Sequence, residues 1–143
     1  MKLRNLALFV VIGLLALPVF AGNLAKPGRW QTTVETEISG MPMKMPVRTI
    51  NTCLTKEQAD NAQNLVPKSG DNRGGCTMTD VKVDGNTITW KMTCEKSGMT
   101  GSGKITYSGD SYDGAMHMTM QDKDVSVKYT GKYMGDCDGT EMK

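Results

Sequence analysis

The sequence predicts an all-β domain: an antiparallel meander of about seven strands with one short helix, closing as a small barrel or a strongly curved half-barrel. Three observations carry this. Short runs alternate apolar and polar residues along most of the chain. Turn residues separate the runs at close, regular spacing. One stretch, CTMTDVKVDGNTITWKMTC from Cys76 to Cys94, shows both features and ends on two cysteines. A β-sandwich is the second architecture this pattern permits.

The Cys76–Cys94 stretch reads as a hairpin turning at Asp84-Gly85, because a tight hairpin turn needs positive φ, which Asp tolerates and Gly adopts freely. That turn sets Val83 opposite Asn86, Val81 opposite Ile88, Thr79 opposite Trp90 and Thr77 opposite Met92. Thr77, Thr79, Val81, Val83, Ile88, Trp90 and Met92 then share one face. Asp80, Lys82, Thr87, Thr89 and Lys91 share the other. One apolar and one wet face suit an antiparallel sheet covering a core. In this register Gly75, not Cys76, faces Cys94. A direct Cys76–Cys94 bridge therefore requires a bulge or a three-residue turn.

The other elements follow in chain order. Residues 1–21 read as a secretory signal peptide, with Lys2 and Arg4 in a charged start, an apolar run from Leu6 to Leu17 and a cleavage site after Ala21. That run is shorter than the ~20 apolar residues a spanning helix needs. No membrane span is expected after cleavage, and residues 22–143 form a single β domain. Lys26-Pro27-Gly28 is a turn. Trp30 to Ile38 alternates as a strand, with Trp30, Thr32, Val34, Thr36 and Ile38 on one face. Residues 39–46 hold two prolines and read as a loop or an irregular edge. Val47 to Leu54 is a strand. Thr55, with Gln58 three residues on, opens a short helix to Ala62 through a capping box. Residues 67–75 read as a glycine-rich loop, and residues 95–103 as a glycine-rich loop or a bulged strand start. Lys104–Ser108, Ser111–Gln121 and Asp124–Met134 are strands, with turns at Gly109-Asp110 and Asp122-Lys123. The expected core is Trp30, Val34, Ile38, Val81, Val83, Ile88, Trp90, Met92, Met116, Met118 and Met120.

Composition narrows the chemistry. The chain carries 17 Lys and Arg against 15 Asp and Glu, and losing Lys2 and Arg4 brings the two into balance. No basic field is left for nucleic acid or anionic lipid. After residue 21 the only leucines are Leu24, Leu54 and Leu65, while all of the 12 methionines but Met1 lie there. Methionine must fill much of the core, and its flexible thioether suits an adaptable interior. All four cysteines, Cys53, Cys76, Cys94 and Cys137, lie after residue 21. In an exported chain they read as two disulfides. Three connectivities are open; the preferred one is Cys76–Cys94 with Cys53–Cys137. Zinc is disfavoured, because there is no C-x-x-C pair and His117 is the one histidine.

No motif supplies an activity. Residues 98–104, GMTGSGK, match most of a phosphate-binding loop, but Ile105 stands where the magnesium-binding Ser or Thr belongs. Any nucleophile would have to use His117 as its base, and no nucleophile elbow is present. The chain reads as a non-enzyme with no catalytic residues and no cofactor. The methionine runs, Met41-Pro42-Met43-Lys44-Met45 and Met116-His117-Met118-Thr119-Met120, are the sharpest feature. Period two in the second run matches a strand with one buried face, which turns His117 away from its neighbours.

Several pieces together resemble the exported bacterial family of unknown function DUF3617. They are Pro27-Gly28-Arg29-Trp30, the Met-Pro-Met loop at 41–46, Cys53-Leu54-Thr55, the Cys76–Cys94 hairpin, Gly109-Asp110-Ser111-Tyr112-Asp113-Gly114 and Gly135-Asp136-Cys137. Arg29 departs from the apolar residue usual before the tryptophan. The resemblance implies a periplasmic envelope protein and transfers no catalytic residue.

The leading functional expectation is a periplasmic or secreted binding module for a small apolar or amphipathic molecule, or for an envelope protein. Its lining set is Met41, Met43, Met45, Trp30 and Trp90. The alternative is soft-metal binding, of copper or silver, through Met41, Met43, Met45, Met116, His117 and Met118, since thioethers select soft cations.

Overall fold

Alternating residues become strand throughout the computed structural model, which describes residues 24–41, 45–66 and 75–140. The strands are β1 Gly28–Ile38, β2 Arg48–Leu54, β3 Cys76–Asp84, β4 Thr87–Cys94, β5 Met99–Ser108, β6 Ser111–Met120 and β7 Lys123–Gly135. Two short helices, α1 Lys56–Ala59 and α2 Ala62–Leu65, join β2 to β3. The strands form one antiparallel sheet in the order β2-β1-β7-β6-β5-β4-β3. The sandwich is thereby excluded. The outermost strands, β2 and β3, do not pair with each other, so the sheet is a curved half-barrel and not a closed barrel.

Side chains that meet across several strands measure the curl. Strands β1 and β5 are three steps apart, roughly 14 Å in a flat sheet. Yet the Trp30 and Tyr107 ring centroids are 5.9 Å apart. Glycines on the inner face make this bend possible. The Tyr112 ring lies over Gly131 on β7, and its hydroxyl bonds Thr32 on β1 at 2.5 Å. The Trp90 ring lies over Gly103 on β5 in the same way. Residues 99–103 form the start of β5, the strand alternative of their glycine-rich reading.

The central hairpin turns one residue later than expected, which moves each cross-strand partner by two. Its turn is Gly85-Asn86, with Asp84 opposite Thr87 and Val83 opposite Ile88. Gly85 takes the positive φ, +58°. Asn86 is held by β5 instead: its side chain donates to the Tyr107 carbonyl at 2.6 Å, and the Tyr107 N–H donates to the Asn86 carbonyl at 2.9 Å. A bulge then sets Asp80 and Val81 against Trp90, with Asp80 at φ +54°. The bulge restores Cys76 opposite Cys94. It also reverses the first half of β3. Thr77 and Thr79 face solvent and Met78 turns inward, which corrects the expected apolar face.

Two expected core residues are exposed. Val83, 50% exposed, lies on the outermost strand beyond the reach of the core. Met120, 38% exposed, is the last residue of β6, beside a turn that falls at Gln121-Asp122 and not at Asp122-Lys123. Trp30, Ile88, Trp90, Met92 and Met116 are buried, while Val34, Ile38, Val81 and Met118 are half-buried.

The expected single helix is two. Thr55 opens α1 with a complete capping box: its hydroxyl accepts from the Gln58 N–H at 3.3 Å, and its own N–H donates to Gln58 Oε1 at 2.8 Å. Asn61 interrupts the helix and caps α2 by accepting from the Gln63 N–H at 3.0 Å. Ala59, Leu65 and Val66 are buried, the last two within the core between the sheet's inner-face side chains. The preferred disulfides form, Cys76–Cys94 and Cys53–Cys137. Residues 1–21, read as the signal peptide, lie outside the described residues.

Candidate functional site at the methionine end of the concave face

Antiparallel pairing sorts the inner face into two chemically different ends. One end carries the Gly85-Asn86 and Gly109-Asp110 turns. There Trp30, Tyr107, Tyr112 and Tyr133 form a ring cluster, with Trp30 centroids 5.5 Å from Tyr112 and 5.6 Å from Tyr133. Residues ahead of β1 strap across it. Ala25 is buried, the Lys26 carbonyl accepts from the Trp30 indole N–H at 2.9 Å, and Lys26 Nζ pairs with Asp110 at 2.5 Å. That hydrogen-bonded pairing raises the Lys26 pKa. Burial pushes the phenols up as well, Tyr129 to about 12, while Tyr112 is raised by burial against the opposing effect of its Thr32 hydrogen bond. These hydroxyls stay neutral at ordinary pH and serve packing.

A cleft of about 410 Å³ opens beside the strap, lined by Leu24, Lys26, Gly85, Asn86, Tyr107, Ser108 and Gly109. Sequence reasoning missed it. Its walls come from the strap and two turns that only the sheet order brings together.

The other end is rich in methionine and open. Cross-strand pairing sets Met78 opposite Met92, Met92 opposite Gly101, and Gly101 opposite Met118. Met118 folds over Gly101, where an added Cβ would stand 2.9 Å from Met118 Cγ. Val125 and Ile38 continue the row onto β7 and β1. Met92 is buried, and Met78, Met118, Val125 and Ile38 are half-buried. Beyond the row stand Met120 on β6 and Met41, Met45 and Val47 between β1 and β2. Met41 is 50% exposed, Met45 42% and Val47 59%. The base of that loop is clamped to β7: the Ser39 N–H donates to the Asp124 carbonyl at 2.8 Å, and the Asp124 N–H donates to Ser39 Oγ at 2.9 Å.

The expected lining residues are therefore divided. Met41 and Met45 stand at the open end, and Met43 lies outside the described residues. Trp30 belongs to the ring cluster at the opposite end. Trp90 is buried between the two, and its indole N–H has no hydrogen-bond partner among the described residues. His117 points to the outer face, with Nδ1 3.1 Å from Ser126 Oγ, so it does not join Met116 and Met118 on the inner face. Among the described residues no three His, Cys, Asp or Glu side chains group as a metal site. No helix among them is long and apolar enough to cross a membrane.

Residues 25–137 match the family described as a protein of unknown function, DUF3617. The chain belongs to the DUF3617 family. No curated protein and no solved structure matches it. The DUF3617 match runs from buried Ala25 in the strap to Cys137 in the second disulfide, and so takes in every strand of the half-barrel. In this DUF3617 chain Met78 and the row across Gly101 escaped sequence reasoning. The signal was the Asp80 bulge, which alternation alone does not reveal.

Proposed function

We propose that this DUF3617 protein is an exported, periplasmic binding module without enzymatic activity, and that it holds a small apolar or amphipathic molecule at the methionine end of its concave face. One observation carries the reading. Met41, Met45, Val47 and Met120, four of the exposed large apolar side chains, flank one end of the sheet beside half-buried Ile38, Met118 and Val125. Contiguous exposed apolar surface marks interaction sites, and methionine adapts to varied ligand shapes. The two disulfides support export, since such bonds persist in oxidising compartments.

Native mass spectrometry of protein taken directly from cells tests the binding. A retained organic mass is expected, and a Met41→Gln/Met120→Gln variant with unchanged melting should lose it. Protein that carries no organic mass and takes up no fluorescent apolar probe would refute the reading. Intact mass tests export: the expected protein starts at Gly22 and has no free thiol.

Soft-cation binding is the second reading, favoured by the row of Met78, Met92 and Met118 around Gly101. Thioethers are the donors that Cu(I) and Ag(I) select, and this row offers three of them from β3, β4 and β6. Replacing Met78 and Met118 by leucine keeps the apolar bulk and removes two sulfurs. Cu(I) competition against a chelator should then weaken. Equal affinity in the variant would exclude this row, and no affinity in the wild type would exclude soft metal altogether.

A further inference from the structure

The two outermost strands are guarded very differently. A bare strand edge offers unpaired N–H and C=O groups to any extended chain, and bulges or charges normally blunt it. Strand β3 has both devices: the bulge at Asp80-Val81, and Asp80, Lys82 and Asp84 along its length. Strand β2 has neither. It pairs with β1 from Arg48 to Leu54 without a register shift, contains no glycine or proline, and carries one charge, Arg48, at its start. No strand among the described residues pairs with its far side. It is also held firmly, by seven paired residues on β1 and by the Cys53–Cys137 disulfide. A flexible segment would lose entropy on pairing; this one is already ordered.

We infer that β2 is an interface for a second copy of this chain, the two β2 strands pairing antiparallel about a two-fold axis at Asn51. The sequence RTINTCL is compatible with itself in that register. Asn51 faces its own copy, Ile50 of each copy faces Thr52 of the other, and Arg48 of each faces Leu54 of the other. No like charges oppose one another. Antiparallel pairing about this axis keeps both inner faces on the same side, so the two half-barrels form one continuous sheet. This surface is separate from the methionine end and does not depend on it.

The register supplies its own test, because residue 51 meets itself only in this dimer. Sedimentation of the full exported chain over about 1 µM to 1 mM should show a reversible dimer. Asn51→Lys and Asn51→Glu, each on an exposed outer-face position, should each weaken it by about tenfold or more through like charges placed face to face. An equal mixture of the two variants should recover association as a heterodimer. Thr79→Lys on β3 should leave the dimer intact, and unchanged melting shows that the variants fold. A wild type that stays monomeric throughout overturns the inference, including the case in which β2 pairs with another protein's strand. So does a dimer that both Asn51 variants leave unchanged, or a Lys and Glu mixture no tighter than either alone.

Discussion

Tyr112 occupies the space above Gly131: a Cβ built on that glycine would stand 1.9 Å from the phenol ring. The two residues face each other across β6 and β7, and Thr32 faces Gly131 from β1. The missing side chain is what lets the phenol cross a whole strand to Thr32. Trp90 and Gly103 repeat the arrangement, with an added Cβ 2.2 Å from the indole. Large rings over bare strand thus fill the concave face where three aligned side chains would not fit.

Gly131→Ala and Gly103→Ala should each destabilise the fold by about 1–3 kcal/mol, the usual cost of overpacking a closed core. Gly114→Ala should cost less, since its nearest contact would be 3.1 Å. Urea unfolding of the three variants checks the order. If Gly131→Ala is neutral, the ring is free to move and the packing argument fails.

Trp90 is buried and Val83 is half exposed, although alternation puts both on the apolar face of the hairpin. Trp90→Ala should cost about 3–5 kcal/mol, and Val83→Ala should stay within about 0.5 kcal/mol. Similar losses for the two variants would mean that β3 packs more fully than this register allows.

The disulfides close loops of different length, with sequence separations of 84 for Cys53–Cys137 and 18 for Cys76–Cys94. Replacing either pair by alanine should cost roughly 2–5 kcal/mol. The chain-entropy view makes the long loop worth about 1 kcal/mol more. Equilibrium unfolding of both double variants compares them. A larger loss at Cys76–Cys94 would assign its value to packing around buried Cys94 instead.

Burial raises the phenol pKa of Tyr107, Tyr112 and Tyr129, the last to about 12, from an ordinary value of 10.0. Below pH 10 all three are neutral whether folded or unfolded, so their contribution is fully present. Above it the unfolded chain loses protons that the native state keeps, and stability falls with rising pH. Melting temperature should therefore drop between about pH 10 and 12, in step with delayed tyrosinate absorbance. A Tyr129→Phe variant should flatten part of that fall. Phenols that ionise near pH 10 in the native protein would contradict the burial seen here.

Local rules made much of this protein legible from its residues. Period-two alternation marks β1, β4, β6 and β7, because neighbouring side chains on a strand must point to opposite faces. The Thr55–Gln58 capping box was readable for the same reason: its partners lie three residues apart. Cys76–Cys94 is only the preferred one of three connectivities, because the expected register puts Gly75 opposite Cys94 and the bulge that corrects it is not written in the alternation. What alternation does not encode is which strands become neighbours and by how much a pairing slips. Tyr107 holds Asn86 in the turn, which falls one residue later than expected, and the Asp80 bulge then sends Met78 inward in place of Thr77 and Thr79. A two-residue change of partners keeps the two faces of a strand and a one-residue bulge exchanges them, so it is the bulge that redistributes the core. The same applies to the site. The methionines were plain in the sequence, but Met78, Met92 and Met118 share a row only because β3, β4, β5 and β6 lie in order. Likewise, among the described residues, the far edge of β2 is unpaired only because the sheet ends at β2 and β3 without closing. Those are non-local pairings, determined by the packing of the whole sheet and not by any one of its segments.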